Sequence, residues 1–317
     1  MTVLAKLDPR KGGPVGRVLA ERHLWSVVPR PRPAPPGGVR RAVVSFDLDY
    51  TGDTLRLDAL RALLAEEECP ATIFAIGALV DQEPGPYARA AEAGLEMGNH
   101  TQTHPDNPVL CPDEEFWDLD VARMTEEIGR CQDAVERATG ARPRAFRTPH
   151  FKDHPRMLAA LAASPEIDIV STTLSSRSPR VVPYAPARTE VAGRYSLNFP
   201  ADAGDEAGSP VMVPLSPCPG LRWSPFCSYA SIRRPSDPSK GAGLHTPEEW
   251  VGLWSDLLAR DRDIGFVSAY FDPIDVMRDA KTVAAFRSIL RAARETGWTL
   301  CTVGEAADAW LPKPIHA

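Results

Sequence analysis

The stretch that begins at Ala42 reads AVVSFDLD and ends at Asp49. Its first five residues form a short, apolar run rich in valine, which predicts a strand buried in a sheet. Two carboxylates, Asp47 and Asp49, follow this run directly. Because α/β enzymes build their sites just past the carboxyl ends of strands, the two acids are candidate site residues. Acids after strands also cap helices and form turns, so on their own they leave both roles open.

Outward from this strand, strand-like and helix-like segments alternate along the chain. Residues 55–67 have helical periodicity and end before Pro70, and residues 72–75 (TIFA) are the next predicted strand. Further helices are predicted at residues 86–93, 113–139, 157–163, 247–260 and 282–296. Further strands are predicted at residues 95–97, 145–147, 167–171, 265–270 and 298–302. Such alternation is typical of a parallel α/β sheet or barrel.

Two proline-rich segments interrupt this pattern. Residues 29–38 (PRPRPAPPGG) predict an extended arm, because proline lacks the N–H donor and fixes φ. We therefore expect an N-terminal arm over residues 1–39 and a folded domain over residues 40–311. Residues 175–243 are rich in proline, glycine and serine and are too long for a simple connection, which predicts an insertion that shapes a cleft. Within it, strands are expected at residues 211–215 and 229–232.

The composition excludes several classes of protein. The chain has 317 residues, of which 43% are hydrophobic and 25% charged, and it contains no apolar run long enough to span a membrane. A formal net charge of -6 without a long basic run argues against a nucleic-acid partner. Six widely spaced cysteines without a C-x-x-C pair fit neither a zinc ribbon nor a dense disulfide scaffold. The first forty residues show no signal-peptide core, so we expect a cytoplasmic location, with a homo-oligomer as an open possibility.

The strongest chemical signal is the segment from His100 to His104, which reads HTQTH. An H-x-x-x-H spacing places two imidazoles one helical turn apart, where they can converge on one metal ion. An isolated pair more often caps backbone groups, but here a second element is present, because one of Asp47 and Asp49 can bind a metal while the other accepts a proton. Arg147 follows another predicted strand and can pair with a catalytic carboxylate, although a lone arginine before a turn is usually a surface charge.

In this order, the three elements resemble the polysaccharide deacetylases, which form carbohydrate esterase family four and include the NodB homology group. The resemblance extends from about Arg40 to Leu311. The first motif is SFDLD at residues 45–49, the second and most specific is GNHTQTHP at residues 98–105, and the third is RTPH at residues 147–150. The resemblance implies a distorted (β/α) barrel of the polysaccharide deacetylase type.

The resemblance also implies a role for each matching residue. Asp49, His100 and His104 would bind one divalent metal, with zinc expected and cobalt, nickel or iron as alternatives. Asp47 would be the general base that activates water at the metal, and Arg147 would orient Asp47. The backbone N–H of His150 would contribute to the oxyanion hole. The chemistry of the residues agrees, because a His₂Asp set leaves coordination positions open, as a catalytic site requires.

Two departures from the family pattern concern the proton donor and the fourth motif. The family usually carries a histidine in a Y-F-H-P motif that protonates the leaving amine, whereas this chain has Asp272 there. Asp272 can act as the acid only if its surroundings raise its pKa towards neutrality. Otherwise another group must donate the proton, and the candidates are His150, His154 and His245. The family's fourth motif, an acid beside a tryptophan, is missing from residues 167–174.

These residues together predict an enzyme. We expect a metal-dependent hydrolase of a carbon–nitrogen bond that removes an acetyl or formyl group from a sugar or a sugar-containing small molecule. Trp223 and Tyr270 are the expected substrate contacts, whereas Trp250 and Trp254, at i and i+4, predict a core-facing helix stripe. One alternative is a hydrolase of cyclic amides, imides or allantoin-type rings. Another is a non-catalytic metal-binding or glycan-binding protein, because the acid histidine is replaced.

Overall fold

The computed structural model describes residues 38–151, 155–173, 180–183, 210–219, 224–232 and 245–310. Almost all of the predicted arm and much of the predicted insertion, including Trp223, lie outside these residues. His154 also lies outside them.

The described residues contain one eight-stranded sheet in which every strand pairing is parallel. Its strands are β1 (Arg40–Leu48), β2 (Thr72–Ala75), β3 (Glu96–Asn99), β4 (Ala145–Arg147), β5 (Ile169–Thr173), β6 (Val211–Leu215), β7 (Phe266–Phe271) and β8 (Trp298–Cys301). The strand order is β6-β5-β4-β3-β2-β1-β7, and β8 also pairs with β1. The predicted strand at Val211–Leu215 is therefore part of the main sheet, where it pairs with β5.

Strand β1 is the centre of the sheet because three strands pair with it. Residues 41–46 of β1 pair with β7, residues 40–43 pair with β8, and residues 45–48 pair with β2. A strand has two edges, so β7 lies along one edge while β8 and β2 follow one another along the other. Residues 42–48 are all buried as a result. The prediction of a buried strand is confirmed.

The sheet curves until its two ends meet. The backbone N–H of Ser216, just after β6, donates to the carbonyl oxygen of Ser268 in β7 at 2.8 Å. The backbone N–H of Ser268 donates in turn to the hydroxyl oxygen of Ser216 at 3.0 Å. These contacts join the end strands of a half-barrel, which confirms the predicted distorted (β/α) barrel.

Eleven α-helices accompany the strands in the described residues. They are α1 (Thr51–Thr54), α2 (Leu57–Glu66), α3 (Gly77–Gln82), α4 (Pro84–Glu92), α5 (Val121–Thr139), α6 (Pro155–Leu161), α7 (Ser228–Ser231), α8 (Pro247–Arg260), α9 (Pro273–Val276), α10 (Ala280–Glu295) and α11 (Val303–Trp310). Alternation of strands and helices places the helices on the faces of the sheet.

Two predicted elements differ from the structure. The helix predicted from residue 113 begins at Val121, because Asp120 caps it by accepting the backbone N–H of Arg123 at 2.8 Å. The strand predicted at residues 229–232 is wrong, because this segment forms α7. There the thiol sulfur of Cys227 accepts a hydrogen bond from the backbone N–H of Ala230 and caps the N-terminus of the helix.

Alternate side chains of β1 face opposite sides of the sheet. Ala42, Val44 and Phe46 join the larger hydrophobic cluster, together with Trp250 and Trp254 of α8. Both tryptophans are fully buried, which confirms the predicted core stripe. No helix in the described ranges combines the length and apolar character needed to cross a bilayer.

A buried carboxylate joins two of the outer helices. Glu67 follows α2 and accepts hydrogen bonds from Arg287 Nη1 at 2.8 Å and Arg291 Nη2 at 2.7 Å, both on α10. The hydrogen bonds from Arg291 and Arg287 hold the pKa of Glu67 below its ordinary value. This contact therefore stabilises the protein in its ionised form.

Replacing Glu67 with alanine should lower the free energy of unfolding by roughly 2 kcal/mol at pH 7, because hydrogen bonds between charged groups are lost. A lowered pKa in the folded state means that the stabilisation is present above the ordinary glutamate pKa and disappears as the pH falls below about 4. Urea denaturation of wild type and variant between pH 7 and pH 3 measures this difference. Glu66→Ala is the control, because Glu66 is exposed and, of the two arginines, contacts only Arg287. This change should lower the free energy of unfolding by less than about 1 kcal/mol.

Candidate metal centre and active site

The predicted site residues meet at one edge of the sheet. Asp49 follows β1, His100 follows β3, Arg147 ends β4 and Asp272 follows β7. All four strands are parallel, so their carboxyl ends lie at the same edge.

The spacing of the two acids follows from the strand. Leu48 lies in the larger hydrophobic cluster with Phe46, so the residues between and beside them face the other way. Ser45 and Asp47 share that second face, and both contact Arg147 there. One residue between Asp47 and Asp49 therefore brings both carboxylates to the same side of the sheet.

Asp49, His100 and His104 form a cluster in which one ligand atom from each residue lies within 4.8 Å of the others. Asp49 Oδ1 is 3.4 Å from His100 Nε2 and 3.9 Å from His104 Nε2. Both imidazoles are almost completely buried. The three predicted ligands therefore converge.

The segment from His100 to His104 is a loop, so the prediction that its histidines are one helical turn apart is wrong. Thr101 and His104 have positive φ values of 67° and 51°. The Asn99 side chain accepts the backbone N–H of Thr101 at 2.9 Å, and the Thr101 hydroxyl accepts the backbone N–H of His104 at 3.0 Å. These side-chain contacts satisfy backbone groups that would be paired within a helix. In this loop the ring centres of His100 and His104 still lie 4.8 Å apart.

The surroundings place Asp49 and His104 in the forms that bind metal. Burial lowers the pKa of His100, but the carboxylates of Asp49 and Asp47 raise it overall, so a metal ion would compete with a proton there. His100 Nδ1 lies 2.7 Å from the carbonyl oxygen of Arg147, to which it can only donate, so the Nε2 lone pair faces Asp49. Burial lowers the pKa of His104 to about 3, which keeps its ring neutral. Burial raises the pKa of Asp49, but His104 and His100 lower it overall to well below its ordinary value. Neutral imidazoles and a carboxylate are the ligand forms of these side chains.

The cluster fits a divalent cation. Asp49 Oδ1 is buried, and no group in the described residues forms a hydrogen bond with it. A buried carboxylate oxygen without a partner is unfavourable, and a cation between Asp49 and the two imidazoles would supply one. Two nitrogen donors and one oxygen donor suit zinc, and also cobalt, nickel or iron.

Arg147 and Asp47 form a buried ion pair beside this cluster. Arg147 Nη1 donates to Asp47 Oδ1, and the Arg147 side chain is fully buried. Arg147 Nη2 donates to the hydroxyls of Ser171 at 2.7 Å and Ser45 at 2.8 Å. The guanidinium carbon also lies 4.0 Å from the centre of the Phe74 ring. Contacts from three strands therefore fix the guanidinium that holds Asp47.

Asp272 lies next to Asp47 along the sheet edge, because Phe46 and Phe271 are the last paired residues of β1 and β7. It is buried, and its backbone N–H donates to the Ser228 hydroxyl oxygen at 2.9 Å. That hydroxyl donates to Asp272 Oδ2 at 3.3 Å. The residue at the position of the family's acid therefore adjoins the candidate base.

Tyr270 and His150 both lie beside predicted site residues. The half-buried Tyr270 ring is 5.5 Å from the guanidinium carbon of Arg147. The His150 ring lies 4.9 Å from that of His104, and His150 Nε2 is 3.4 Å from Asp106 Oδ2. His150 has a positive φ of 51°, an unusual conformation of the kind that collects at functional sites. His245, another candidate proton donor, lies just before helix α8.

Two residues that hold Asp49 were missed in the sequence. Asp53 accepts the backbone N–H of Asp49 at 3.2 Å, and Asn107 Nδ2 donates to the carbonyl oxygen of Asp49 at 2.8 Å. Asp53 lies four residues after Asp49 in a segment that favours turns, which is a weak signal. The contact between Asn107 and Asp49 spans 58 residues, and short-range patterns contain no information about it.

Comparison with known proteins agrees with this geometry. Residues 35–165 match the polysaccharide deacetylase family. This segment of the chain belongs to that family. A chitooligosaccharide deacetylase from Bradyrhizobium is 32% identical over 114 residues, which are 36% of this chain and 47% of that protein. The uncharacterized protein YlxY of Bacillus subtilis is 25% identical over 127 residues, which are 40% of this chain and 36% of that protein.

The chain thus spans less than half the length of each of these two relatives. Among solved structures, a candidate polysaccharide deacetylase from Mycobacterium smegmatis has a TM-score of 0.67 and 20% sequence identity. The match covers 89% of this chain and 94% of that chain, which shows a shared fold over most of both.

Replacing His104 with alanine should weaken zinc binding by more than about 100-fold, because loss of a direct ligand costs more than loss of the partner of a ligand. Isothermal titration of zinc into metal-free protein measures this, with one zinc per chain expected for the wild type. His245→Ala is the control and should bind zinc like the wild type. Equal zinc affinity in His104→Ala and the wild type would show that His104 is not a metal ligand.

Proposed function

We propose that the protein is a metal-dependent hydrolase that removes an acetyl or formyl group from the nitrogen of a sugar or a sugar-containing small molecule. The observation that carries this proposal is the convergence of Asp49, His100 and His104 beside the buried pair of Asp47 and Arg147. The name of the Bradyrhizobium relative supports a sugar substrate.

The metal would lie between Asp49, His100 and His104. A divalent ion there would supply Lewis acidity to the acyl carbonyl and lower the pKa of water. Asp47 would accept the proton of the attacking water, and its hydrogen bond with Arg147 would keep the carboxylate oriented.

The leaving nitrogen needs a proton, and we assign its donation to Asp272. Asp272 is buried next to Asp47, and Ser228 contacts both its backbone N–H and its carboxyl group. Burial disfavours the ionised form of a carboxyl group, and this is the condition under which Asp272 would carry the proton. This arrangement gives one acid and one base in neighbouring positions.

The replacement of the family's histidine by Asp272 also favours a second candidate, a hydrolase of cyclic amides or imides. In such a ring the leaving nitrogen stays attached to the product, and a stabilised nitrogen anion needs less help from an acid. A non-catalytic metal-binding or glycan-binding role is the third possibility. The intact set of Asp47, Arg147 and the three candidate metal ligands argues against it.

Three further features remain predictions. They are the cytoplasmic location, a homo-oligomeric state and the role of the predicted insertion at residues 175–243. The identity of the bound metal is also a prediction, with zinc expected and cobalt, nickel and iron as alternatives.

Asp47→Asn should lower kcat by roughly 10²- to 10⁴-fold, because the amide cannot accept the proton of water, while zinc affinity stays within a few fold. The measurement is amine release from N-acetyl and N-formyl amino sugars and from chitooligosaccharides, alongside ring opening of hydantoin and allantoin. Wild-type activity on the cyclic substrates alone would favour the second candidate. Equal rates for Asp47→Asn and wild type would exclude Asp47 as the base.

Asp272→Asn should reduce hydrolysis of an N-acetyl amino sugar by roughly 100-fold or more, because an amine leaves only when protonated. Hydrolysis of 4-nitrophenyl acetate should change little, because a phenolate leaves without a proton. Steady-state kinetics on both substrates give the two ratios. If the variant loses the same fraction of its hydrolysis rate on the amide and on the ester, Asp272 has a structural role and His150 becomes the candidate acid.

A further inference from the structure

The main chain of Asp49 is held on both sides by buried side chains. Asp53 Oδ2 accepts the backbone N–H of Asp49 at 3.2 Å and that of Tyr50 at 3.0 Å. Asn107 Nδ2 donates to the carbonyl oxygen of Asp49 at 2.8 Å. Both polar backbone groups of Asp49 therefore have a side-chain partner, which restricts the direction in which its carboxylate can point.

Asp53 also contacts helix α9, which begins directly after Asp272. Its second oxygen, Oδ1, accepts the backbone N–H of Ile274 at 2.8 Å. Ile274 lies two residues after Asp272, and Asp53 itself is fully buried. One carboxylate thus joins the segment of the candidate metal ligand Asp49 to the segment of the candidate acid.

Asn107 makes the corresponding connection to the histidine loop. Its backbone N–H donates to the carbonyl oxygen of His104 at 2.7 Å. Its side-chain oxygen accepts the backbone N–H groups of Val109 at 2.9 Å and Leu110 at 3.0 Å. The Asn107 side chain therefore stabilises its own loop and, through its amide nitrogen, joins that loop to Asp49.

The segment after Asp49 needs such contacts. Helix α1 (Thr51–Thr54) has four residues, and a single turn is unstable without tertiary contacts. Metal ligands, however, must be held in a defined geometry before the ion binds, because ordering them on binding reduces affinity.

We propose that Asp53 and Asn107 are positioning residues that set the metal affinity of the cluster of Asp49, His100 and His104. Asp53 has the additional task of holding Asp272 beside Asp47. This inference rests on the metal centre of the proposed function. Both residues act through the backbone of Asp49, and neither is assigned a contact with substrate.

Two conservative variants test the proposal. In Asp53→Asn an NH₂ group replaces one acceptor, so the contact with Asp49 and Tyr50 or the contact with Ile274 is lost. In Asn107→Asp an oxygen replaces the amide nitrogen that donates to Asp49, while the contacts with Val109 and Leu110 can persist.

The measurement is isothermal titration of zinc into the metal-free full chain. We expect the zinc Kd to rise by roughly 10- to 100-fold in each variant, the range found for partners of metal ligands. Asp58→Asn is the control, since Asp58 is a half-exposed residue of α2 that pairs with Arg89, and the zinc Kd of this variant should equal that of the wild type. Thermal unfolding of the metal-free proteins shows whether each variant remains folded.

A second readout separates positioning from general stability. At saturating zinc, Asn107→Asp should regain the wild-type kcat, whereas Asp53→Asn should stay impaired because the Asp272 segment is released. Wild-type zinc affinity in both folded variants would overturn this inference while leaving the metal centre intact. Failure of the wild type itself to bind zinc would instead overturn the proposed metal centre, and this inference with it.

Discussion

The rest of the site depends on the contacts of one buried residue, Arg147. Its side chain donates a hydrogen bond to Asp47, and its carbonyl oxygen accepts a hydrogen bond from His100 Nδ1–H. A single residue therefore orients the candidate base and selects the tautomer of a candidate metal ligand. A buried charge left without its partner typically costs about 3–5 kcal/mol, so Ser45, Ser171 and Asp47 also secure the fold around it.

The parallel sheet supplies the other constraint. Parallel strands end at one edge, and alternate residues of β1 face opposite sides, so Asp47 and Asp49 reach the site while Phe46 and Leu48 enter the core. The ligands themselves lie on loops beyond the strands. Loops carry functional groups well only when rigid contacts hold them, and here side chains such as Asn107 provide those contacts.

Most of the fold was predictable because its signals are local. The strands 72–75, 145–147 and 211–215 and the helix 247–260 were predicted with the observed bounds, since apolar runs, prolines and caps mark them. The segment 229–232 was predicted incorrectly, because a thiol contact from Cys227 overrides its strand-like composition. The bounds of the arm and of the insertion remain predictions.

The sequence by itself determined the identity of the candidate site residues, because D-x-D, H-x-x-x-H and R-x-P stand at the ends of predicted strands. Only the tertiary structure decided how they meet. The histidines converge through a loop and not through a helical turn, because Asn99 and Thr101 bond its backbone. The contacts of Asp49 with Asn107, and of Asp53 with Ile274, join residues 58 and 221 positions apart. Contacts between such distant residues form only when the chain is folded, so no local pattern predicts them.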